Sequence, residues 1–187
     1  MVEKKTEKKL YEEIQILEGI EVNLDGNILK MKKDDKEITR KMHSFMKLKI
    51  DDNKLILSAD RNRKVERKLF GTYKAHIKNM IKGLEEGFKY RLQISNVHFP
   101  MNVSHDKANN KLVVKNFLGE KTDRIIPLIE GVGIKIDNEI IEVDSYDIEK
   151  AGQVATSIEK GSKVKNKDRR VYQDGIFIIE KPGRTYL

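Results

Sequence analysis

Four histidines and two adjacent acidic pairs are the residues of this 187-residue chain that could take part in catalysis or bind a metal ion. A helical metal site places two histidines at positions i and i+4, and no two histidines here have that spacing. We therefore predict that all four histidines are ordinary surface or partly buried side chains. They are His43, His76, His98 and His105.

The acidic pairs, Asp34-Asp35 and Asp51-Asp52, could hold a divalent ion of the kind that nucleases use. Both pairs lie where the pattern predicts turns, so solvated turn residues are the preferred interpretation. A metal-dependent nuclease that uses Asp51, Asp52 or Asp137 stays open as a rival hypothesis, and magnesium-dependent cleavage lost in Asp51→Asn would identify it. Gly131-Val-Gly133 lacks the third glycine of a dinucleotide site and precedes a predicted strand.

The chain contains no cysteine, which excludes thiolate zinc sites, iron–sulfur clusters, disulfides and a cysteine nucleophile. Neither a P-loop nor a nucleophile-elbow motif is present. The residues therefore offer little support for catalysis, and we predict no metal and no cofactor. Apolar runs such as 176–179 are far shorter than the roughly 20 residues that cross a bilayer, so no membrane partner is expected. A reducing cytoplasmic location fits this composition.

Positive charge is segregated along the chain, which has a net charge of +8. Residues 61–82 contain eight basic side chains and one acid, Glu66. Residues 160–187 contain eight basic side chains and three acids. Because an ordinary surface mixes both signs of charge, this segregation favours a polyanionic partner such as RNA or DNA.

The elements that must position these charges can be inferred from hydrophobic spacing. Alternating apolar residues predict two hairpins, which turn at Asp25-Gly26 and at 51–53. From about Asn62 the spacing predicts an amphipathic helix with a basic outer face, capped by Asp60 or Asn62. Its apolar side is predicted to consist of Val65, Leu69, Tyr73, Ile77, Met80, Leu84 and Phe88.

The second half of the chain repeats this order of strands, hairpin and helix. A strand is predicted over 92–97, further strands over 101–103 and 112–114, and a helix over about 147–160. The buried side of that helix is predicted to contain Ile148, Ala151, Ala155 and Ile158. The hairpin that turns at 51–53 matches one in the second half at a constant offset of 86 residues, because Leu48, Ile50, Leu55 and Leu57 align with Ile134, Ile136, Ile141 and Val143.

This repetition predicts an α+β fold of two tandem similar domains, each an antiparallel or mixed β-sheet packed on an α-helix. We expect a flexible charged tail at 1–9, a first domain at 10–88 and a second domain at 89–187. The second domain includes a basic extension, 162–187, that has no counterpart in the first. An Asp174-Gly175 pair between apolar runs predicts a hairpin there.

The basic run of this extension, 163–170, could be a flexible linker, a localisation signal or a segment that binds RNA or DNA. Its place between a helix and a tyrosine-bearing predicted hairpin favours binding of RNA or DNA. Tyr172 and Phe177 could stack on bases, although core packing is the preferred interpretation of alternate residues in a hairpin.

Residues 163–181, KVKNKDRRVYQDGIFIIEK, resemble protein six of the large ribosomal subunit. The closer resemblance is to its archaeal and eukaryotic branch, numbered nine in eukaryotes, since the Gly/Lys-rich motif of the bacterial branch is absent. The similarity extends in the same order from about residue 12 to 182. Its other motifs are RNRK at 61–64, GTYKAHIKNMIKG at 71–83, VHFPM at 97–101, NFLGEK at 116–121 and DIEKAGQ at 147–153.

The resemblance implies two tandem domains of one fold and a structural, non-enzymatic role on the cytoplasmic ribosome. It implies that the second domain binds large-subunit rRNA beside the sarcin–ricin loop, where translational GTPases dock transiently. The first domain would face neighbouring ribosomal proteins, including the base of the stalk. A free-standing RNA-binding or RNA-chaperone protein outside the ribosome stays open as the alternative.

The rRNA-binding residues implied by the resemblance lie in two segments. The expected set is Lys163, Lys165, Asn166, Lys167, Arg169, Arg170, Tyr172, Gln173 and Lys181, together with Phe117, Gly119, Glu120 and Lys121. The basic helix offers a possible secondary contact through Arg61, Arg63, Lys64, Lys68, Lys74, Lys78 and Lys82. Lysine at 163, 165 and 167, where relatives often carry arginine, keeps the charge but loses bidentate phosphate contacts. Tyr172 stands where phenylalanine is more usual.

Overall fold

The computed structural model describes residues 10–51 and 53–186, so the predicted tail at 1–9 lies outside the described residues. The chain divides into two compact units, one ending at Glu86 and the other beginning at Gly87. Each unit combines antiparallel sheets with one long helix, which confirms the α+β class.

The first unit contains six described strands and one helix. They are β1 (Leu10–Gln15), β2 (Glu21–Asp25), β3 (Ile28–Lys33), β4 (Lys36–Lys41), β5 (Met46–Asp51), β6 (Lys54–Ala59) and α1 (Lys64–Glu85). One sheet has the order β1-β6-β5 and the other β2-β3-β4. Both hairpins turn where the sequence predicts.

The second unit has the same order of elements and adds two strands at its end. They are β7 (Phe88–Ser95), β8 (Asn102–Asp106), β9 (Lys111–Lys115), β10 (Arg124–Pro127), β11 (Gly133–Asp137), β12 (Ile140–Ser145), α2 (Ile148–Gly161), β13 (Gly175–Lys181) and β14 (Arg184–Thr185). A short 3₁₀ turn, Phe117–Gly119, precedes β10. The sheets have the orders β10-β9-β8 and β11-β12-β7-β13-β14.

The two units share strand pairing as well as strand order. In the first, Leu48 lies opposite Leu57 and Ile50 opposite Leu55. In the second, Ile134 lies opposite Val143 and Ile136 opposite Ile141, so the constant offset seen in the sequence is a constant register in the fold. β1 pairs with β6 just as β7 pairs with β12. Strand β13 extends the second sheet along the edge of β7.

Helix α1 differs in detail from the prediction. It begins at Lys64 with Arg63 as its N-cap residue and no side-chain cap, so the predicted caps Asp60 and Asn62 are wrong. Val65 is 65% exposed, and Phe88 belongs to β7. The buried side consists of Phe70, Ile77, Met80, Ile81, Gly83 and Leu84. An apolar arc indicates which side of a helix faces a core but not where along the helix that core begins.

Helix α2 confirms the prediction closely. The Asp147 carboxylate accepts a hydrogen bond from the Glu149 backbone N–H at 2.9 Å, which caps the helix. Its buried residues are Ala151, Val154, Ala155 and Ile158, with Ile148 half-buried. Neither helix of the described residues is long and apolar enough to span a membrane.

The predicted hairpin at Asp174-Gly175 is wrong. Residues 163–174 form a loop, β13 begins at Gly175 and pairs with β7, and the hairpin turns instead at Pro182-Gly183 into β14. Asp174 is only 2% exposed, and its carboxylate is bonded to His98 rather than to the backbone of a turn at 174–175. The segment after Gly175 pairs with the open edge of β7, which is distant in the sequence, so the residues at 174–175 do not reveal this pairing.

Candidate nucleic-acid interface

The loop at 163–173, here called the basic loop, carries most of the predicted rRNA-binding residues of the second unit. Its side chains are exposed except for Val164, which is 8% exposed and belongs to the core cluster, and Tyr172, which is half-buried. Backbone hydrogen bonds from Val171 and Tyr172 to the Asp168 carbonyl, 3.1 and 2.9 Å long, close a turn within the loop. The loop therefore has a defined conformation with its cations outside.

Arg124 fixes the beginning of the basic loop. Its Nη1 donates to the backbone carbonyls of Gly161 at 3.1 Å and Lys163 at 2.9 Å. Its Nε and Nη2 donate to the Glu120 carboxylate, and its guanidinium lies 3.8 Å from the centroid of the Phe117 ring. One side chain thus ties the end of α2, the basic loop and the 117–121 loop together.

Electrostatics also indicate that the two predicted segments lie side by side. The hydrogen bonds from Arg124 hold the pKa of the Glu120 carboxyl below its ordinary value of 4.5, against an opposing effect of burial. The positive charges of Arg124, Lys165 and Lys167 lower this pKa further. The structure therefore brings the basic loop and the 117–121 loop into one cationic surface.

A contact between His98 and the buried Asp174 carboxylate fixes the end of the basic loop. The Asp174 carboxylate accepts a hydrogen bond from the His98 backbone N–H at 2.9 Å, and its other oxygen lies 2.5 Å from the His98 Nδ1. Burial alone would raise the pKa of Asp174, but the hydrogen bonds from His98 and the Phe99 backbone hold it below its ordinary value. The loop is therefore anchored at both ends.

The Tyr172 ring contacts two side chains of its own unit. The His98 ring stacks on it with centroids 4.9 Å apart, and the Lys167 Nζ lies 4.4 Å from the same ring centroid. Tyr172 also packs against the core of the unit. The ring accordingly positions a lysine through a cation–π contact, and its packing agrees with the preferred interpretation of the sequence.

The 117–121 loop contains one residue that cannot contact RNA through its side chain. Phe117 is fully buried and its ring packs beneath the Arg124 guanidinium, so an RNA contact at this position would have to come from its backbone. Leu118 and Gly119 have φ values of 48° and 76°, which fold the chain tightly. Gly119, Glu120 and Lys121 are exposed.

Lys181 lies at the far end of β13 from the basic loop, about 20 Å away for a strand of this length. Its Nζ lies 5.2 Å from the Tyr186 ring centroid, and the Arg184 guanidinium lies 4.7 Å from that centroid. The structure therefore separates Lys181 from the other predicted residues of its unit.

The basic helix face of the first unit is only partly free. The Lys74 Nζ pairs with the Glu12 carboxylate at 2.5 Å, and the Lys82 Nζ lies 3.8 Å from the Glu86 carboxylate. The remaining predicted residues are exposed: Arg61, Arg63, Lys64, Lys68 and Lys78. This face is a second cationic surface, on a unit of its own.

Sequence reasoning missed Arg124, His98 and Asp174 as residues that hold the interface. Glu120 and Arg124 lie four residues apart but outside any helix, so their spacing did not signal the ion pair that they form. The His98–Asp174 pair joins residues 76 positions apart and left no local signal.

Across residues 10–51 and 53–186, no group of three His, Asp or Glu side chains could hold a metal ion, while Asp52 lies outside those residues.

These features define a class: a duplicated α+β protein whose second copy presents a fixed cationic loop. A family model described as "Ribosomal protein L6" matches residues 16–87. The chain is 38% identical over 175 residues to the large ribosomal subunit protein uL6 of Methanococcus vannielii, covering 93% of this chain and 95% of the relative. It is 42% identical to the uL6 proteins of Nanoarchaeum equitans and Staphylothermus marinus, covering 94% and 91% of this chain and 95% and 94% of those relatives.

The chain belongs to the uL6 family, which confirms the resemblance seen in the sequence, and its archaeal relatives fit the archaeal and eukaryotic branch. Membership makes it a structural, non-enzymatic component of the large subunit of the cytoplasmic ribosome, with rRNA and ribosomal proteins as partners.

Proposed function

We propose that this chain binds large-subunit rRNA mainly through its second domain, 89–187, beside the sarcin–ricin loop where translational GTPases dock. Its first domain, 10–88, faces neighbouring ribosomal proteins at the stalk base. The observation that carries the RNA contact is the joining of the basic loop to the 117–121 loop by Arg124.

The charge on this surface is available for phosphates. Lys163, Lys165 and Arg169 are exposed, and no carboxylate of the described residues forms an ion pair with them. Arg170, by contrast, is bonded to Asp168. Each cation that neutralises a phosphate releases condensed counterions, so binding should be strong and salt-dependent. Because both ends of the loop are anchored, little ordering is needed when RNA binds.

The form of recognition follows from this rigidity. A cationic surface of fixed shape matches the phosphate spacing of one folded RNA better than that of others, without reading bases in a duplex. The translational GTPases would dock on the RNA that this protein supports, and the protein would supply no catalytic group to them.

Filter binding with two rRNA fragments of equal length tests the proposal. One fragment contains the sarcin–ricin loop and its flanking helices, and the other comes from a distant part of the large-subunit rRNA. We expect at least about tenfold tighter binding to the first, since shape readout should distinguish folded RNAs. Equal affinity for both fragments would contradict the proposed location.

Charge-reversal variants test which of the two units makes the main contact with the RNA. Lys165→Glu with Arg169→Glu should weaken binding of the first fragment strongly. The matched control, Lys68→Glu with Lys78→Glu, makes the same change in net charge on α1 and should have a much smaller effect. If the α1 pair has the larger effect, the first domain carries the main contact instead.

A further inference from the structure

A cavity of about 670 Å³ lies behind the basic loop in the second unit. Its walls come from the carboxyl-terminal end of α2, the basic loop, the end of β7 and the start of β13. This volume is within the range of about 300–1,000 Å³ that small-molecule sites occupy. It is also much larger than a single phosphate ion needs.

The rim of the cavity carries unpaired positive charge. Lys160, Lys163 and Arg169 line it, and no carboxylate within the described part of the chain lies within ion-pair distance of them. The two acids on the same wall are already engaged: the Glu159 carboxylate accepts a hydrogen bond from the Ile178 backbone N–H, and Asp174 is bonded to His98. The cavity therefore favours an anionic ligand.

Part of the cavity lining is apolar and aromatic. Phe177 is half-buried there beside Ile176, which is 1% exposed, and the Tyr172 side chain forms part of the wall. The Ser162 hydroxyl at the same wall donates to the Ile158 carbonyl and accepts from the Ile176 backbone N–H, so its polar capacity is used internally. An anion alone would leave this apolar part unfilled.

We propose that the cavity receives one unstacked nucleotide of the bound rRNA, with its phosphate between Lys163 and Arg169 and its base against Phe177. This step rests on the proposed function, since the nucleotide belongs to the RNA that the basic loop binds. Proteins recognise RNA sequence largely through bases splayed out of loops and bulges, which stack on aromatic rings. The cavity would thus add a local requirement for an extruded nucleotide to recognition by shape.

Nuclear magnetic resonance titration of the full-length ¹⁵N-labelled chain tests this assignment. The probes are the four nucleoside 5′-monophosphates, each at up to several millimolar, and inorganic phosphate. At least one nucleotide should shift the amide signals of cavity residues such as Lys163, Gln173 and Phe177, and should bind at least threefold more tightly than inorganic phosphate. Equal affinity for phosphate and nucleotides would reduce the cavity to an anion site and overturn the proposal.

Two conservative variants identify the aromatic contact. Phe177→Leu keeps an apolar side chain but removes the ring, and should weaken nucleotide binding about fivefold or more, since base stacking contributes about 1–3 kcal/mol. Phe45→Leu makes the same change at a half-buried position of the first unit and should have no effect. Equal affinities of the two variants would overturn the assignment of Phe177.

The failure of this proposal is distinguishable from failure of the proposed function. If the chain binds the rRNA fragment while nucleotides leave the cavity amides unshifted, the cavity proposal is wrong and rRNA binding stands. If the chain binds no large-subunit rRNA, the proposed function fails first, and the cavity proposal fails with it.

Discussion

Replacing Arg124 with methionine should separate positioning of the basic loop from direct contact with RNA. Methionine keeps an apolar stem over Phe117 but loses the hydrogen bonds to the Gly161 and Lys163 carbonyls and to Glu120. Hydrogen bonds to charged groups contribute about 1.5–3 kcal/mol each, whereas an exposed ion pair contributes about 0–1 kcal/mol. Allowing for water at the freed carbonyls, we expect a loss of about 2–3 kcal/mol in the free energy of unfolding.

The effect on RNA binding follows from loop entropy. If two or three residues next to Lys163 become free, fixing them again on binding costs about 1 kcal/mol each. A total of about 2–3 kcal/mol corresponds to about 30- to 150-fold weaker binding. The salt dependence should stay the same, because the cations that contact phosphates are all still present.

Urea unfolding and filter binding at several salt concentrations measure these effects. Arg91→Met is the matched control, because Arg91 also bonds several acceptors, the carboxylates of Glu142 and Glu180, but lies on the exposed side of the sheet. It should leave RNA affinity unchanged. Full RNA affinity in a destabilised Arg124→Met variant would refute the positioning role, and a salt slope lower by about one would show that Arg124 itself contacts a phosphate.

Three further predictions concern other parts of the second unit. Arg169→Ala with Arg170→Ala should lower the slope of log affinity against log salt by up to about two, measured by filter binding, and an unchanged slope would remove both from the interface. Because the pKa of Asp174 is lowered in the folded state, its contribution to stability is complete above its ordinary pKa of 3.8 and is lost as the pH falls below it. Between pH 6 and pH 3, the free energy of unfolding measured in urea should therefore fall less in Asp174→Asn than in the unsubstituted protein. Gly152→Ala should destabilise by about 1–2 kcal/mol, since its Cβ would lie 2.9 Å from the Tyr90 Oη, and Tyr90→Phe should restore most of that loss in thermal unfolding.

The parts of the fold that sequence predicts well are those set by local patterns. The hairpin registers follow from alternating apolar residues, so the match of Leu48 with Ile134 carried directly into three dimensions. The bounds and the buried side of helix α2 were predicted closely because its apolar residues recur at helical spacing, and an aspartate stands where the helix begins.

The errors lie where distant contacts override local preference. Asp174-Gly175 has the chemistry of a turn, yet Asp174 pairs with His98 and the chain continues into a strand on β7. The buried position of Phe117 depends on packing that no local pattern reveals. For the interface, the run of basic residues indicated the basic loop, whereas its anchor Arg124 carried no local signal, because its partners depend on the fold of the loop that precedes β10.

The central claim is that this chain is an rRNA-bound component of the large ribosomal subunit, and sedimentation tests it most directly. A native extract is separated on a sucrose gradient, and the ribosomal peak is washed in rising salt and probed for the chain. The prediction is cosedimentation with the large subunit and release only at high salt, because many phosphate contacts must be broken together. Recovery of the chain at the top of the gradient, free of ribosomal subunits, would contradict the claim.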